Sequence, residues 1–364
     1  MSLDRNFLRT QIEKFDPTLE IERATPPPAS WYTDPQFGLL ERDAVCARNW
    51  QVVGCVDQVS GPGDYFTGSV AKRPFVVTRD ESGELRGFYN VCAHHGTCVA
   101  KGNGCVTHFT CPYHGWEYRL DGALKRAPLA GDVGAFRTGT VGLRSIPIAT
   151  LGNFVLLWFG SEPQDPATRF SGLQDEVAGL TTDSLKFVAT REYEVGCNWK
   201  VFVDNYLDGG YHVPHMHPDL CANLSFEGYK TRLSDRYSVQ SCPAGGDNRL
   251  GEFAHYLWVY PNFMVNRYGS WMDTNLVLPV DERRCRVTFN YYYDGDLSSA
   301  EQESALRDSD RVQQEDAEVV ELVQEGLESG VYEGLYASRF EAPMHHFHRL
   351  LAQDLRVGVS DALT

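Results

Sequence analysis

Two short clips, Cys92-x-His94 and Cys111-x2-His114, stand sixteen residues apart in the stretch "CAHHGTCVAKGNGCVTHFTCPYHGW". Each offers one thiolate and one imidazole, and a chain that uses both must fold so that two loops meet. A zinc ribbon is one reading, because two cysteines and two histidines bind zinc well. Against it, Cys-x-His is tight for a zinc knuckle. Each clip also lies at a strand–loop junction beside a glycine, Gly96 or Gly115, where the backbone can approach closely and donate its N–H groups.

A second constellation is "YHVPHMHPDL", with His212, His215 and His217 inside six residues. The preceding "CNWKVFVDNYLDGG" has helical spacing at Trp199, Phe202, Val203 and Tyr206, and a helical stretch is expected over 198–212. Asp204, Asp208 and His212 follow one another at intervals of four on another face. Gly209, Gly210 and Pro214 then strain or stop the helix. An unbroken helix would pair His212 with His215; a broken one lets His212 and His217 converge, and the residues alone leave the two pairs level. A carboxylate is expected to complete a facial triad. In "SDRVQQEDAEVVELVQEGL", Val312, Val319, Val320, Val323 and Leu327 mark a buried helical face that also carries Asp316, while Glu315, Glu318 and Glu321 point elsewhere. A salt bridge to arginine is an equal explanation of a carboxylate there.

The rest of the chain sets the frame. Residues 1–45 read as an N-terminal arm with a proline-stiffened segment and a short helix. Residues 46–155 read as short strands and turns. Residues 156–364 read as strands followed by two helices, roughly 299–307 and 310–329. The fold class expected is α+β: an all-β domain, then a domain with helices on an antiparallel sheet. A formal charge of -16 argues against nucleic acid as a partner. No apolar run is long enough to span a membrane, and the first residues lack an apolar h-region, so a cytoplasmic protein is expected. Ten cysteines without a secretory signal make a disulfide framework unexpected.

The clips resemble the Rieske [2Fe–2S] domain, in which both cysteines bind one iron and both histidines the other. The resemblance implies Cys92, His94, Cys111 and His114 as cluster ligands. It leaves Cys98 and Cys105 as non-ligands, for which a bridge is conceivable, and His95 and His108 as surface or hydrogen-bonding residues. The second constellation resembles the mononuclear Fe(II) site of Rieske oxygenases, whose His-x4-His pattern selects His212 and His217. The same family selects Asp316 and leaves His215 beside the site. It also implies dioxygen as co-substrate, a homotrimer, and an acidic residue that bridges the two metal sites across subunits. Asp208 is the expected bridge, although the commoner position, three before the histidine, is Gly209. Asp204 is the fallback, with a solvated acid or a partner of Lys200 as its plain reading.

Three segments, "CNWKVFVDNYLDGGYHVP", "YPNFMVNRYGSWMDTNLVLP" and "MHHFHRLLAQDL", are similar to the choline monooxygenases within that family. This implies oxidation of choline, or a related quaternary ammonium compound, to betaine aldehyde hydrate. N- or O-demethylation of a betaine or aromatic is the alternative. Aromatic faces hold such cations, and the pocket set expected is Tyr206, Tyr260, Phe263 and Trp271, with Trp258, Tyr268 and Tyr291 behind them. No glycine-rich dinucleotide fingerprint is present, so a separate ferredoxin or flavin reductase is implied. A pure electron carrier would need only about 100 residues, and a structural zinc protein would be redox-silent.

Overall fold

A computed structural model of the chain describes residues 3–134, 139–181, 184–217, 221, 228–244 and 253–361. The chain forms two compact units, Cys46–Pro166 on the one hand and Met1–Val45 with Ala167–Thr364 on the other. Sequence reasoning placed divisions after residues 45 and 155. In the structure the arm is no separate piece: Leu8, Phe15, Trp31 and Phe37 share one buried core with Val203, Trp258 and Phe347.

The unit Cys46–Pro166 is built from short antiparallel strands. A five-stranded sheet has the spatial order Asn103–Cys105, Asp64–Val70, Arg73–Arg79, Leu85–Tyr89, Ser145–Ile146. A three-stranded sheet joins Gln51–Cys55, Phe154–Leu157 and Ile148–Leu151, and a second joins Phe109–Thr110, Glu117–Tyr118 and Leu124–Arg126. The Ser82-Gly83 turn signal is satisfied locally: Asp80 accepts the N–H groups of Ser82 and Glu84, and Gly83 takes φ +85.

The other unit is a seven-stranded antiparallel sheet with helices on one face. Its spatial order is Leu185–Val195, Arg284–Asp294, Trp271–Asp281, Phe263–Tyr268, Phe253–Val259, Tyr237–Pro243, Lys230–Leu233. The expected pair of late helices is a single helix, Ser299–Glu328, opened by a capping box of Ser298 and Glu301. Ser309, between the two expected segments, is buried and hydrogen-bonds the hydroxyl of Tyr291 at 2.8 Å. The buried stripe of this helix runs through Leu306, Ser309, Asp316, Val320, Gln324 and Leu327, whereas Val323, expected inside, is exposed. A further helix that sequence reasoning did not place, Ala342–Asp361, buries Phe347, Leu351 and Leu355 and packs on the N-terminal helix Arg5–Glu13. Among the described residues, no helix is long and apolar enough to cross a membrane.

Candidate metal centres

The two clips occupy loops of the same construction. The N–H of Cys92 bonds the carbonyl of Thr97 and that of Cys111 the carbonyl of Trp116, each at 2.8 Å. The N–H groups of Gly96 and Gly115 return to the carbonyls of Cys92 and Cys111, each at 3.0 Å. Both glycines take positive φ, +79 and +70, which closes the loops in a conformation that side chains disfavour. The thiols of Cys92 and Cys111 are buried, while His94 and His114 are exposed with ring centroids 4.6 Å apart. His94 lies flat on Trp116, 4.7 Å away. Partial desolvation by its neighbours, then the imidazoles of His95 and His114, lower the pKa of His94, toward the neutral form that ligates metal. Buried sulfur and neutral surface nitrogen are the donors a Rieske cluster takes. His95 is exposed beside them, and His108 bonds Thr107. Cys98 and Cys105 are both free thiols.

Sequence reasoning missed Tyr118. Its buried hydroxyl accepts the N–H of Ala93 at 3.0 Å and lies 3.1 Å from the sulfur of Cys92. With Ala93 donating to the oxygen, the phenol proton is directed at the sulfur. Burial, then that contact, pushes the phenol pKa up, so it stays protonated. A hydrogen bond to cluster sulfur favours the reduced, more negative state. Tyr118→Phe is therefore expected to lower the cluster's reduction potential by on the order of 50 mV in a spectroelectrochemical titration, equivalent to one ordinary hydrogen bond. The only available signal was its place in the strand next to the second clip.

In the other unit, the helix that carries the second constellation starts at Trp199, capped by the side chain of Asn198, and ends at Tyr206 rather than 212. Gly209 and Gly210 then take φ +74 and +72, and Val213–Met216 forms one more short turn. The break swings His217 back toward the long helix. Asp316 Oδ1 lies 3.1 Å from His217 Nε2 and 3.7 Å from His212 Nε2. The other ring nitrogens are held from outside: His212 Nδ1 by Asp208 at 2.6 Å, and His217 Nδ1 by Glu315 at 2.6 Å. Carboxylates on the Nδ1 atoms fix ring orientation and leave both Nε2 atoms facing Asp316, the arrangement that makes good metal ligands. Although burial opposes it, hydrogen bonds to Asp316 and Glu315 hold His217 above its ordinary pKa. Two imidazole nitrogens and a carboxylate oxygen that converge within 4.8 Å of one another are a donor set that fits mononuclear iron.

Three expectations change here. Glu315 does not point away; the two adjacent carboxylates bracket both nitrogens of one imidazole. His215 is exposed on its short turn and takes no part. Asp204 accepts from the hydroxyl of Tyr32 at 2.8 Å and meets His348 Nε2 at 2.9 Å, so it is already engaged within the unit. Its expected partner Lys200 pairs with Glu41 instead. Asp208, by contrast, touches His212 directly and also accepts the N–H groups of Tyr211 and His212.

Gly209 deserves its conformation twice over. A Cβ there would stand 2.3 Å from the carbonyl oxygen of Phe340, in addition to the positive φ. Gly209→Ala is expected to cost about 1–3 kcal/mol and to loosen His212; differential scanning calorimetry and iron analysis read the two effects.

The expected aromatic set divides. Tyr206, the last residue of the helix that leads toward His212, donates to Asn266 Oδ1 at 2.7 Å. Trp271 shares that face of the sheet and packs 5.0 Å from Tyr293. Phe263 alternates with Asn266 along its strand and so points from the opposite face. Tyr260 is spent in the core, bonding Asp354 at 2.8 Å and lying under Arg236. Trp258 packs on Phe347, also in the core. Burial, then Asp273 and two tyrosines that the sequence did not single out, Tyr229 and Tyr256, raise the pKa of Tyr206.

Comparison with known proteins agrees with this chemistry. The family model described as Rieske [2Fe-2S] domain matches residues 49–137, and that described as Ring hydroxylating alpha subunit (catalytic domain) matches residues 182–356. A choline monooxygenase of Arabidopsis thaliana, chloroplastic, is 45% identical, covering 95% of this chain and 86% of its own. A carnitine monooxygenase oxygenase subunit of Escherichia coli is 28% identical, covering 90% and 92%. The crystal structure of a quaternary ammonium Rieske monooxygenase in complex with its substrate L-carnitine matches with TM-score 0.83 at 26% identity, covering 97% of this chain and 99% of that one. With sulfur–nitrogen clips in one unit and a two-histidine, one-carboxylate cluster in the other, the chain belongs to the Rieske non-heme iron oxygenases, as an alpha subunit that uses a [2Fe–2S] cluster, a mononuclear iron and dioxygen.

Proposed function

We propose that the protein is a monooxygenase that oxidises choline, or a closely related quaternary ammonium compound, converting choline to betaine aldehyde hydrate as a first step toward glycine betaine. The observation that carries the reading is the convergence of His212, His217 and Asp316 on one point, beside a helix whose Tyr206 faces a tyrosine-rich wall. When bound, the iron supplies dioxygen activation, with electrons delivered from the cluster. The chain's own residues orient that centre: Asp208 and Glu315 fix the two imidazoles, and Asn205 donates to Asp316 at 3.0 Å. Relatives named for choline and for carnitine support a trimethylammonium head as the feature recognised.

The proposal includes a homotrimer, with Asp208 as the link between His212 of one subunit and the cluster histidine His114 of the next. Asp208 is preferred to Asp204 because it already contacts His212, whereas Asp204 is committed to Tyr32 and His348. Electrons come from a separate ferredoxin or flavin reductase. Asp208→Asn is expected to keep the [2Fe–2S] cluster and, even when fully reloaded with Fe(II), to turn over about 10–100-fold more slowly, with cluster reduction by the donor unchanged in stopped-flow absorbance. Normal turnover would remove Asp208 from this role.

The proposal as a whole is tested by turnover of choline under labelled dioxygen with a surrogate reductase. The products are trapped and read by mass spectrometry, because the aldehyde hydrate exchanges with water. Labelled betaine aldehyde hydrate, with choline and oxygen consumed one for one, supports it. A fully iron-loaded, reducible enzyme that leaves choline untouched rules choline out.

A further inference from the structure

One buried imidazole belongs to neither metal centre. His348, on the helix Ala342–Asp361, is 1% exposed, and both of its ring nitrogens are engaged. Nε2 lies 2.9 Å from Asp204 Oδ1 and 3.0 Å from the hydroxyl of Tyr32, and Nδ1 lies 2.6 Å from the hydroxyl of Tyr336. Tyr32 donates its own proton to Asp204 Oδ2 at 2.8 Å. A carboxylate only accepts, so Nε2 carries the proton that faces Asp204, and Nδ1 accepts from Tyr336. Packing against Phe15 and Phe347 asks only for a hydrocarbon; burying an imidazole there is costlier.

The contacts run from the surface toward the iron-site turn. Tyr336 is half-buried, in a segment whose Val331 and Leu335 are exposed. Asp204 belongs to the helix that ends just before Asp208 and His212. Glu341, also half-buried, lies within electrostatic range of His348, Asp204 and Asp208 together. Burial, then the two aspartates, raise its pKa against the opposing N–H of Ala337. The residue before it, Phe340, stacks on Tyr211 at 5.1 Å. Burial, then Asp204, keeps the phenols of Tyr32 and Tyr336 protonated, so Tyr336 gives up a proton only as it receives another. His345, one turn earlier, and Tyr332 also face this cluster.

We propose that His348 is a proton relay, taking protons at Nδ1 from Tyr336 and giving them at Nε2 to Asp204, from which Glu341 passes them to the iron-site turn. Monooxygenation consumes such protons. One dioxygen, two electrons and two protons convert a substrate C–H bond to a hydroxyl and release one water, and the electrons arrive through the cluster. In each transfer one O–H or N–H bond breaks as the next forms, and solvent restores the proton of Tyr336. A half-turn of the imidazole about Cβ–Cγ then returns the ring proton to Nε2. The assignment rests on monooxygenation and is independent of which substrate is hydroxylated.

The test uses the iron-loaded, reduced holoenzyme with choline bound, mixed with dioxygen for a single turnover in H2O and in D2O. His348→Gln retains an amide that can bond Asp204 but cannot carry a proton. It is expected to keep its iron and its calorimetric affinity for choline, to form product about a hundredfold more slowly, and to become more sensitive to D2O as proton delivery limits the rate. A wild-type rate, or a slow rate with wild-type sensitivity to D2O, overturns the assignment; the second result marks His348 as structural only. Should His348→Gln lose iron or fail to fold, Tyr336→Phe decides. It leaves His348 on Asp204 and Tyr32 and removes the proton source alone, so the same slowing must appear, and a wild-type rate overturns the relay. Neutron diffraction from the deuterium-exchanged holoenzyme reads the ring directly and needs no substrate. A deuteron at Nε2 is expected; a neutral ring with its deuteron at Nδ1 alone overturns the relay. A wild type that leaves choline untouched overturns the choline reading instead, and the ring deuteron then decides this one.

Discussion

Replacing His212 with alanine is expected to abolish turnover while the Rieske absorption survives, with iron falling from about three to about two per chain. The argument is geometric. His212 and His217 are the two imidazoles whose Nε2 atoms face Asp316, at 3.7 and 3.1 Å. Removing His212 leaves one imidazole and one carboxylate, too few protein donors to hold a divalent iron against water. The proposed cluster ligands Cys92, His94, Cys111 and His114 lie in the other compact unit, with its own core around Phe88, Phe109 and Tyr118. The effect is therefore confined to one metal. His215→Ala serves as the comparison, because His215 is exposed and outside the cluster; it should keep all the iron. Glu315→Gln should fall between. Its amide can still accept from His217 Nδ1 but carries no charge, so iron affinity drops about 10–100-fold and added Fe(II) restores turnover. Iron analysis, the visible spectrum and oxygen uptake separate the three. Turnover by the His212→Ala enzyme would show that the second metal site is misplaced.

Why the first centre was legible from sequence and parts of the second were not has a physical answer. Cys92, His94, Cys111 and His114 sit in two local loops closed by their own glycines, so spacing along the chain nearly determines spacing in three dimensions. His212 and His217 were also within reach, because Gly209, Gly210 and Pro214 advertise a broken helix. Glu315 was not. It is a neighbour of Asp316 on a regular helix, and helical periodicity places it 100° away from the ligand. Only the position of His217, which comes from a different element, makes both carboxylates useful. The aromatic wall was harder still. Alternation tells which residues share a face of a strand but not which face a helix will cover, so Phe263 was grouped with Tyr206 although it points from the other side of the sheet. Tyr256 was missed for the converse reason: it stands next to the site only through cross-strand register. Tyr229 precedes the edge strand and reaches the same sheet only through its hydrogen bond to Gln240. The late pair of helices is continuous through Ser309, which lies between the two expected segments and is buried. Its partner Tyr291 is eighteen residues away, and no local pattern reports it.

A second large effect is expected at Lys200, which the sequence offered as a surface partner for Asp204. The side chain is fully buried, and its Nζ lies 2.6 Å from Glu41 Oε1. The other oxygen of Glu41 accepts from Trp199 Nε1 at 2.8 Å. The ammonium also lies 5.3 Å from the Trp199 ring and 5.6 Å from the Tyr32 ring. This pair ties the end of the helix Pro35–Glu41 to the first turn of the helix that leads into Asp208 and His212. Lys200→Met removes one charge and leaves Glu41 buried without its cation, which should cost about 3–5 kcal/mol. The midpoint of thermal unfolding of this unit should fall, and the mononuclear iron should be lost earlier than in the wild type, because the turn holding His212 hangs from that helix. Adding Glu41→Gln to Lys200→Met should recover most of the loss. The amide still accepts from Trp199, and replacing a buried ion pair by uncharged groups is often close to neutral. Recovery in the double variant separates an unpaired charge from lost packing, since the volume removed at Lys200 is the same in both. A double variant as unstable as Lys200→Met alone would mean that the methylene chain of Lys200 among Tyr32 and Trp199, and not its charge, is what holds the arm to the iron-site helix.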